Sequence, residues 1–225
     1  MRKILAASVL LNALFFVAAG LWLERQGGLQ FISAKAAGSS VVSLYDLKRD
    51  IQAAHRGDVV LLGDSILDLM EPEYFSFPVV NRGIAGDTTA GVLERLPDVL
   101  AGKPKAIVLL VGINDLRLGV SASEVIENHR NIREAIPSDV RLIVLPLLPV
   151  NEALFRQHII GANPKSLIPS RADVDAVNEA LAEMPGFVPL PLIAEGELSP
   201  AFTLDGLHLN ATGLAVLAGT VVARL

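Results

Sequence analysis

The chain contains no cysteine. Disulfides, thiolate zinc sites, iron–sulfur clusters and thiol nucleophiles are therefore excluded from both its fold and its chemistry. Aromatic residues are scarce, with one Trp and two Tyr, which disfavours an extended surface for stacking sugar rings. Charge is sparse too: 19% of residues are charged against 52% hydrophobic, a balance that argues against a disordered chain. The 19 basic residues are outnumbered by 24 acidic ones and form no cluster, so nucleic acid is not an expected partner.

Long apolar runs, by contrast, are present. Arg2 and Lys3 precede an apolar stretch over 4–23, interrupted in polarity or size only by Ser8, Asn12 and Gly20. A helix of about 20 residues rises roughly 30 Å, the thickness of a bilayer core. The run exceeds the core of about 7–15 residues usual in a cleaved signal peptide. The small-x-small pattern Ala34-Lys35-Ala36 comes late for a cleavage site. Residues 1–25 are expected to form one N-terminal transmembrane helix, an uncleaved anchor in preference to a cleaved signal. Arg2 and Lys3 would stay in the cytoplasm, placing the remainder on the periplasmic, extracytoplasmic side of the inner membrane. Residues 26–40, rich in Gly, Ser, Ala and Gln, read as a linker, and 41–225 as one domain.

Within that domain, short apolar runs at 58–63, 77–81, 106–112, 141–146 and 187–192 lack polar alternation, as expected of strands buried on both faces of a parallel sheet. Between them lie segments of helical spacing. Val92, Leu96 and Val99 share one side of 88–100. Ser121 and Glu124 resemble a capping box ahead of the stripe Val125, His129, Ile132 and Ile136. Val174, Val177 and Leu181 align within 172–184, and 212–225 forms a final apolar helix. Repeated strand–helix units predict an α/β fold, a three-layer α/β/α sandwich around a five-stranded parallel sheet. Ligands in such sheets bind beyond the carboxyl ends of the strands.

Polar groups gather at those ends. Gly63-Asp64-Ser65-Ile66 puts a hydroxyl at the start of a helix, where it is either a nucleophile or an ordinary cap. The loop Asn81-Arg82-Gly83-Ile84-Ala85-Gly86-Asp87-Thr88-Thr89 lets backbone N–H groups approach a ligand, and Asp87 or Thr88 can cap the next helix. Asn114, in Gly112-Ile113-Asn114-Asp115, is either an amide donor to an anion or a turn residue. Asp205 and His208 lie three apart, close enough for the carboxylate to accept Nδ1–H and leave Nε2 free for a proton. A loop acid beside a surface histidine is the plainer alternative.

In combination these blocks resemble the SGNH hydrolase superfamily, the GDSL esterases and lipases. Gly63-Asp64-Ser65, the loop ending Gly86-Asp87, Gly112-x-Asn114-Asp115 and Asp205-x-x-His208 occur in that family's order over 58–210. Ile66 stands where one of the family's names has Leu. The wording is similar to the branch holding platelet-activating-factor acetylhydrolase-like esterases and bacterial lysophospholipase/thioesterases. The resemblance implies a flavodoxin-like sheet and a serine esterase acting on a small-molecule ester or lipid, including lysophospholipid or thioester. Ser65 would attack the carbonyl, His208 would move the proton, and Asp205 would orient His208. The Ser65 and Gly86 N–H groups and the Asn114 side chain would form the oxyanion hole, with Gly83 the weaker candidate. Asp64 would hold the turn through backbone bonds. No metal or organic cofactor is needed.

Other readings remain. An envelope carbohydrate O-deacetylase or O-acetyltransferase fits the same fold. A metal-dependent phosphoesterase would use Asp64, Asp115, Asp205 and His208, and a non-catalytic binding module would keep only the crevice. Among the other histidines, His55 reads as a helix-end residue and His129 as packing. His158 lies in the segment 150–170, which is expected either to wall the crevice or to pack on the sheet.

Overall fold

A computed structural model describes residues 57–160 and 167–225. The expected anchor at 1–25, the linker at 26–40 and His55 lie outside these residues. No helix among the described residues is long and apolar enough to cross a membrane.

Among the described residues four strands form the sheet: β1 (Val59–Gly63), β2 (Val80–Gly83), β3 (Ala106–Leu110) and β4 (Arg141–Val144). All pairs are parallel, in the order β2-β1-β3-β4. The helices are α1 (Ser65–Asp68), α2 (Thr89–Leu100), α3 (Ile113–Arg117), α4 (Ala122–Ala135), α5 (Glu152–Phe155), α6 (Arg171–Ala182) and α7 (Ala211–Val222). A π-helical turn, Arg156–Ile160, continues α5. A short antiparallel pair, β5 (Ile193–Ala194) and β6 (Glu197–Leu198), lies apart from the main sheet.

The strands alternate their side chains between two apolar cores. Val60 and Leu62 of β1 and Ile107 and Leu109 of β3 pack with Val92 and Leu96 of α2, Val125 and Ile132 of α4, and Val177 and Leu181 of α6. Leu61, Val108 and Leu110 face the other way, onto Ile66 and Leu67 of α1 and Leu214, Leu217 and Val221 of α7. Helices therefore flank both faces, which is why the strand sequences show no polar alternation.

The fifth strand expected at 187–192 does not form a ladder. Phe187 makes a single parallel bridge to Val144, with Val144 N–H donating to Gly186 O and Val188 N–H to Val144 O, each at 2.9 Å. Pro189 and Pro191 lack the N–H groups needed to extend it. The strand expected at 77–81 is likewise displaced to Val80–Gly83, beyond Pro78.

The helix starts follow side-chain capping. Thr88 accepts from Gly91 N–H, Ser121 from Glu124 N–H, Ser170 from Asp173 N–H and Asn210 from Gly213 N–H. The chain leaves β1 for β2 on one side and returns to β3 on the other. The crevice between the ends of β1 and β3 is thus the topological switch point, the place where such sheets bind ligands.

Candidate active site

Ser65 opens α1 directly after β1. Asp64 caps this helix, its Oδ1 accepting from Ile66 N–H at 3.0 Å, while Oδ2 is buried without a hydrogen-bond partner among the described residues. Burial pushes the Asp64 carboxyl up to about 7. Ser65 itself is only partly buried.

The loop before α7 brings the opposite end of the sequence to this point. His208 Nε2 lies 3.1 Å from Ser65 Oγ, and His208 Nδ1 lies 2.7 Å from Asp205 Oδ2. Asp205 Oδ1 also accepts from the Leu207 and His208 N–H groups at 2.9 and 2.8 Å. Burial raises the Asp205 carboxyl, but these bonds outweigh it and hold the group below its ordinary range. The loop is braced from within: Thr203 Oγ1 donates to His208 O at 2.8 Å and accepts from Gly206 N–H at 2.9 Å. Asn151 N–H donates to Gly206 O at 2.8 Å, tying the start of the 150–170 segment to this loop.

Two further loops border the crevice. Ile84 O accepts from Asp87 N–H at 3.0 Å, closing a turn in which Gly86 has φ +83°, a conformation that favours glycine. Gly86 is exposed, whereas Gly83 N–H is already donated to Asn81 Oδ1. After β3, Gly112 turns the chain at φ +127° into α3, which carries Asn114. Asn114 is 6% exposed; its Nδ2 donates to Asp87 O at 3.0 Å and its Oδ1 accepts from Arg117 Nη1 at 3.1 Å. One of the two Nδ2 protons is thereby committed.

The remaining candidates serve elsewhere. Asp115 accepts from Thr89 N–H and, at 2.6 Å, from Thr89 Oγ1. Burial raises its carboxyl against these bonds. His129 is buried with Nε2 on Val111 O at 3.0 Å, and burial lowers its pKa to about 4. His158 is exposed on the π-helical turn. Among the described residues no three His, Asp or Glu side chains gather to hold a metal ion.

Sequence reasoning missed two arginines. Arg95 forms a buried ion pair with Asp87. Arg117, one turn after Asn114, lies with its guanidinium carbon 5.5 Å from the centre of the Phe155 ring. Burial lowers the Arg117 pKa, opposed by the charges of Asp205 and Asp64. The i, i+3 spacing of Asn114 and Arg117 was the available signal.

A hydroxyl, an imidazole and a carboxylate hydrogen-bonded in series at the switch point of a parallel sheet define the serine hydrolase class. The chain matches the GDSL-like Lipase/Acylhydrolase family over residues 61–216. It is 30% identical over 177 residues to the Homo sapiens platelet-activating factor acetylhydrolase IB subunit alpha2, covering 70% of this chain and 71% of that one. A solved structure from Streptococcus pneumonia, named for platelet activating factor, superposes with a TM-score of 0.66 at 25% identity, covering 95% of this chain and 99% of that one. A GDSL-like lipase from Bacteroides thetaiotaomicron shares the fold, with a TM-score of 0.64 at 21% identity over 80% of this chain and 96% of that one. The chain belongs to the GDSL-like lipase/acylhydrolase family of SGNH hydrolases and is a serine hydrolase acting on ester bonds.

Proposed function

We propose that Ser65 is the nucleophile, His208 its general base and Asp205 the group that orients His208. The observation carrying this reading is the continuous series Ser65 Oγ, His208 and Asp205, at 3.1 and 2.7 Å. Ser65 Oγ attacks the ester carbonyl as His208 Nε2 takes its proton, and the same imidazole then protonates the departing alcohol. Asp205 keeps Nδ1 protonated and stabilises the imidazolium. The Ser65 and Gly86 N–H groups and the second Nδ2 proton of Asn114 receive the charge that develops on the carbonyl oxygen. Water then attacks the acyl-enzyme with His208 again as base, and as the bond to Ser65 Oγ breaks His208 returns the proton to Oγ and the carboxylic acid leaves.

The bond broken is a carboxylic ester, as in a lysophospholipid, or a thioester. A relative named as an acetylhydrolase supports acyl hydrolysis. The test is a hydrolysis series of esters and thioesters of rising acyl length, with Ser65→Ala as control. Turnover of at least one acyl series by the wild type, lost in Ser65→Ala, supports the assignment; equal turnover in both contradicts it.

The apolar run at 4–23 supports an N-terminal membrane anchor over 1–25, a linker over 26–40 and a hydrolase domain over 41–225 on the extracytoplasmic side. An intact N-terminus in the membrane fraction, measured by mass spectrometry, is the expected result. A mature chain starting beyond residue 25 would overturn the anchor.

A further inference from the structure

Asn114 carries a primary amide, whose two orientations are almost identical in shape and are distinguished only by the demands of its neighbours. On one side Arg117 Nη1 donates to Oδ1 at 3.1 Å; on the other, Nδ2 donates to Asp87 O at 3.0 Å. A guanidinium only donates and a main-chain carbonyl only accepts, so both neighbours demand the same orientation. Asp87 takes one Nδ2 proton and leaves one over. Arg117 is itself held: its guanidinium lies over the Phe155 ring, and its Nε is buried without a hydrogen-bond partner among the described residues. Phe155 is fully buried and ends α5, so the ring beneath the guanidinium is packed into the core.

We propose that Arg117 is a positioning residue, whose Nη1 donor fixes the Asn114 amide with its second Nδ2 proton toward the oxyanion. The inference rests on the reading of Asn114 as an oxyanion donor. Without Arg117 the orientation rests on Asp87 O alone, and the amide turns more readily to present Oδ1, whose lone pairs repel the developing negative charge. The effect falls mainly on kcat, because the ester carbonyl carries little charge before attack.

The test compares wild type, Arg117→Met, Arg117→Lys, Asn114→Ala and the Arg117→Met/Asn114→Ala double variant on a short-chain p-nitrophenyl ester. Removing one oxyanion donor costs about 10²–10³ in kcat, so loss of its alignment by Arg117→Met is expected to cost about 10- to 100-fold. KM should change by less than about 3-fold, and Arg117→Lys, which retains one donor, should recover part of the rate. In the Asn114→Ala background the Arg117 effect should largely disappear. Near-UV circular dichroism verifies folding, and if Arg117→Met does not fold, Arg117→Lys and its double variant complete the same cycle. A loss of equal size in both backgrounds, or one confined to KM, overturns the role of Arg117 while leaving that of Asn114 standing. Wild-type kcat in Asn114→Ala overturns both.

Discussion

Arg95 and Asp87 form an ion pair of 2.6 Å in which each side chain is only 1% exposed. The same guanidinium donates to Arg82 O at 2.6 Å and to Gly63 O at 3.1 Å. One buried cation thus joins the last residue of β1, the end of β2 and the loop after Gly86. Gly63 lies two residues before Ser65 and Asp87 directly follows Gly86, so the network borders both of the backbone N–H groups proposed for the oxyanion.

Arg95→Met should destabilise the protein by about 3–5 kcal/mol, because it leaves Asp87 buried without its cation. Urea unfolding of the variant against wild type measures this. A loss below about 1 kcal/mol, the scale of an exposed pair, would show that the pair is not energetically buried.

Asp64 offers a test by pH. Its carboxyl ionises near 3.8 in the unfolded chain and at about 7 in the fold. Between those values the folded state holds more protons, so this group's contribution to stability falls as pH rises through that window and levels off above it. The side-chain amide of the Asp64→Asn variant cannot ionise. The stability of wild type relative to Asp64→Asn should therefore decline from about pH 4 to about pH 8. A pH-independent difference would contradict the burial argument.

Asp205→Asn should lower kcat by about 10⁴, since an amide no longer enforces the required His208 tautomer. Stopped assays on purified protein, with circular dichroism as the folding control, measure this. A loss under about 10-fold would mean that Asp205 does not orient the base.

The sheet was legible where burial on both faces leaves an unbroken apolar signature, as in β1 and β3. It was misread at 187–192 because apolar composition there outweighed the missing donors of Pro189 and Pro191. Ser65, Asn114, Asp205 and His208 were legible as motif residues, but the sequence does not carry the 3.1 Å approach between side chains 143 positions apart. Arg95 and Arg117 escaped notice because a charged residue on a helix ordinarily faces water. The burial of Arg95 follows from Gly63, Arg82 and Asp87, which three segments bring to it, and the half-buried Arg117 is drawn in by Asn114 and Phe155. The anchor expected at 1–25 and the linker at 26–40 lie outside the described residues.

The central claim is tested most directly by treating the purified enzyme with a fluorophosphonate and locating the adduct by peptide mass spectrometry. A stoichiometric adduct on Ser65, abolished together with ester hydrolysis in Ser65→Ala, is the predicted result. An adduct on another residue, or hydrolysis undiminished in Ser65→Ala, would contradict the account.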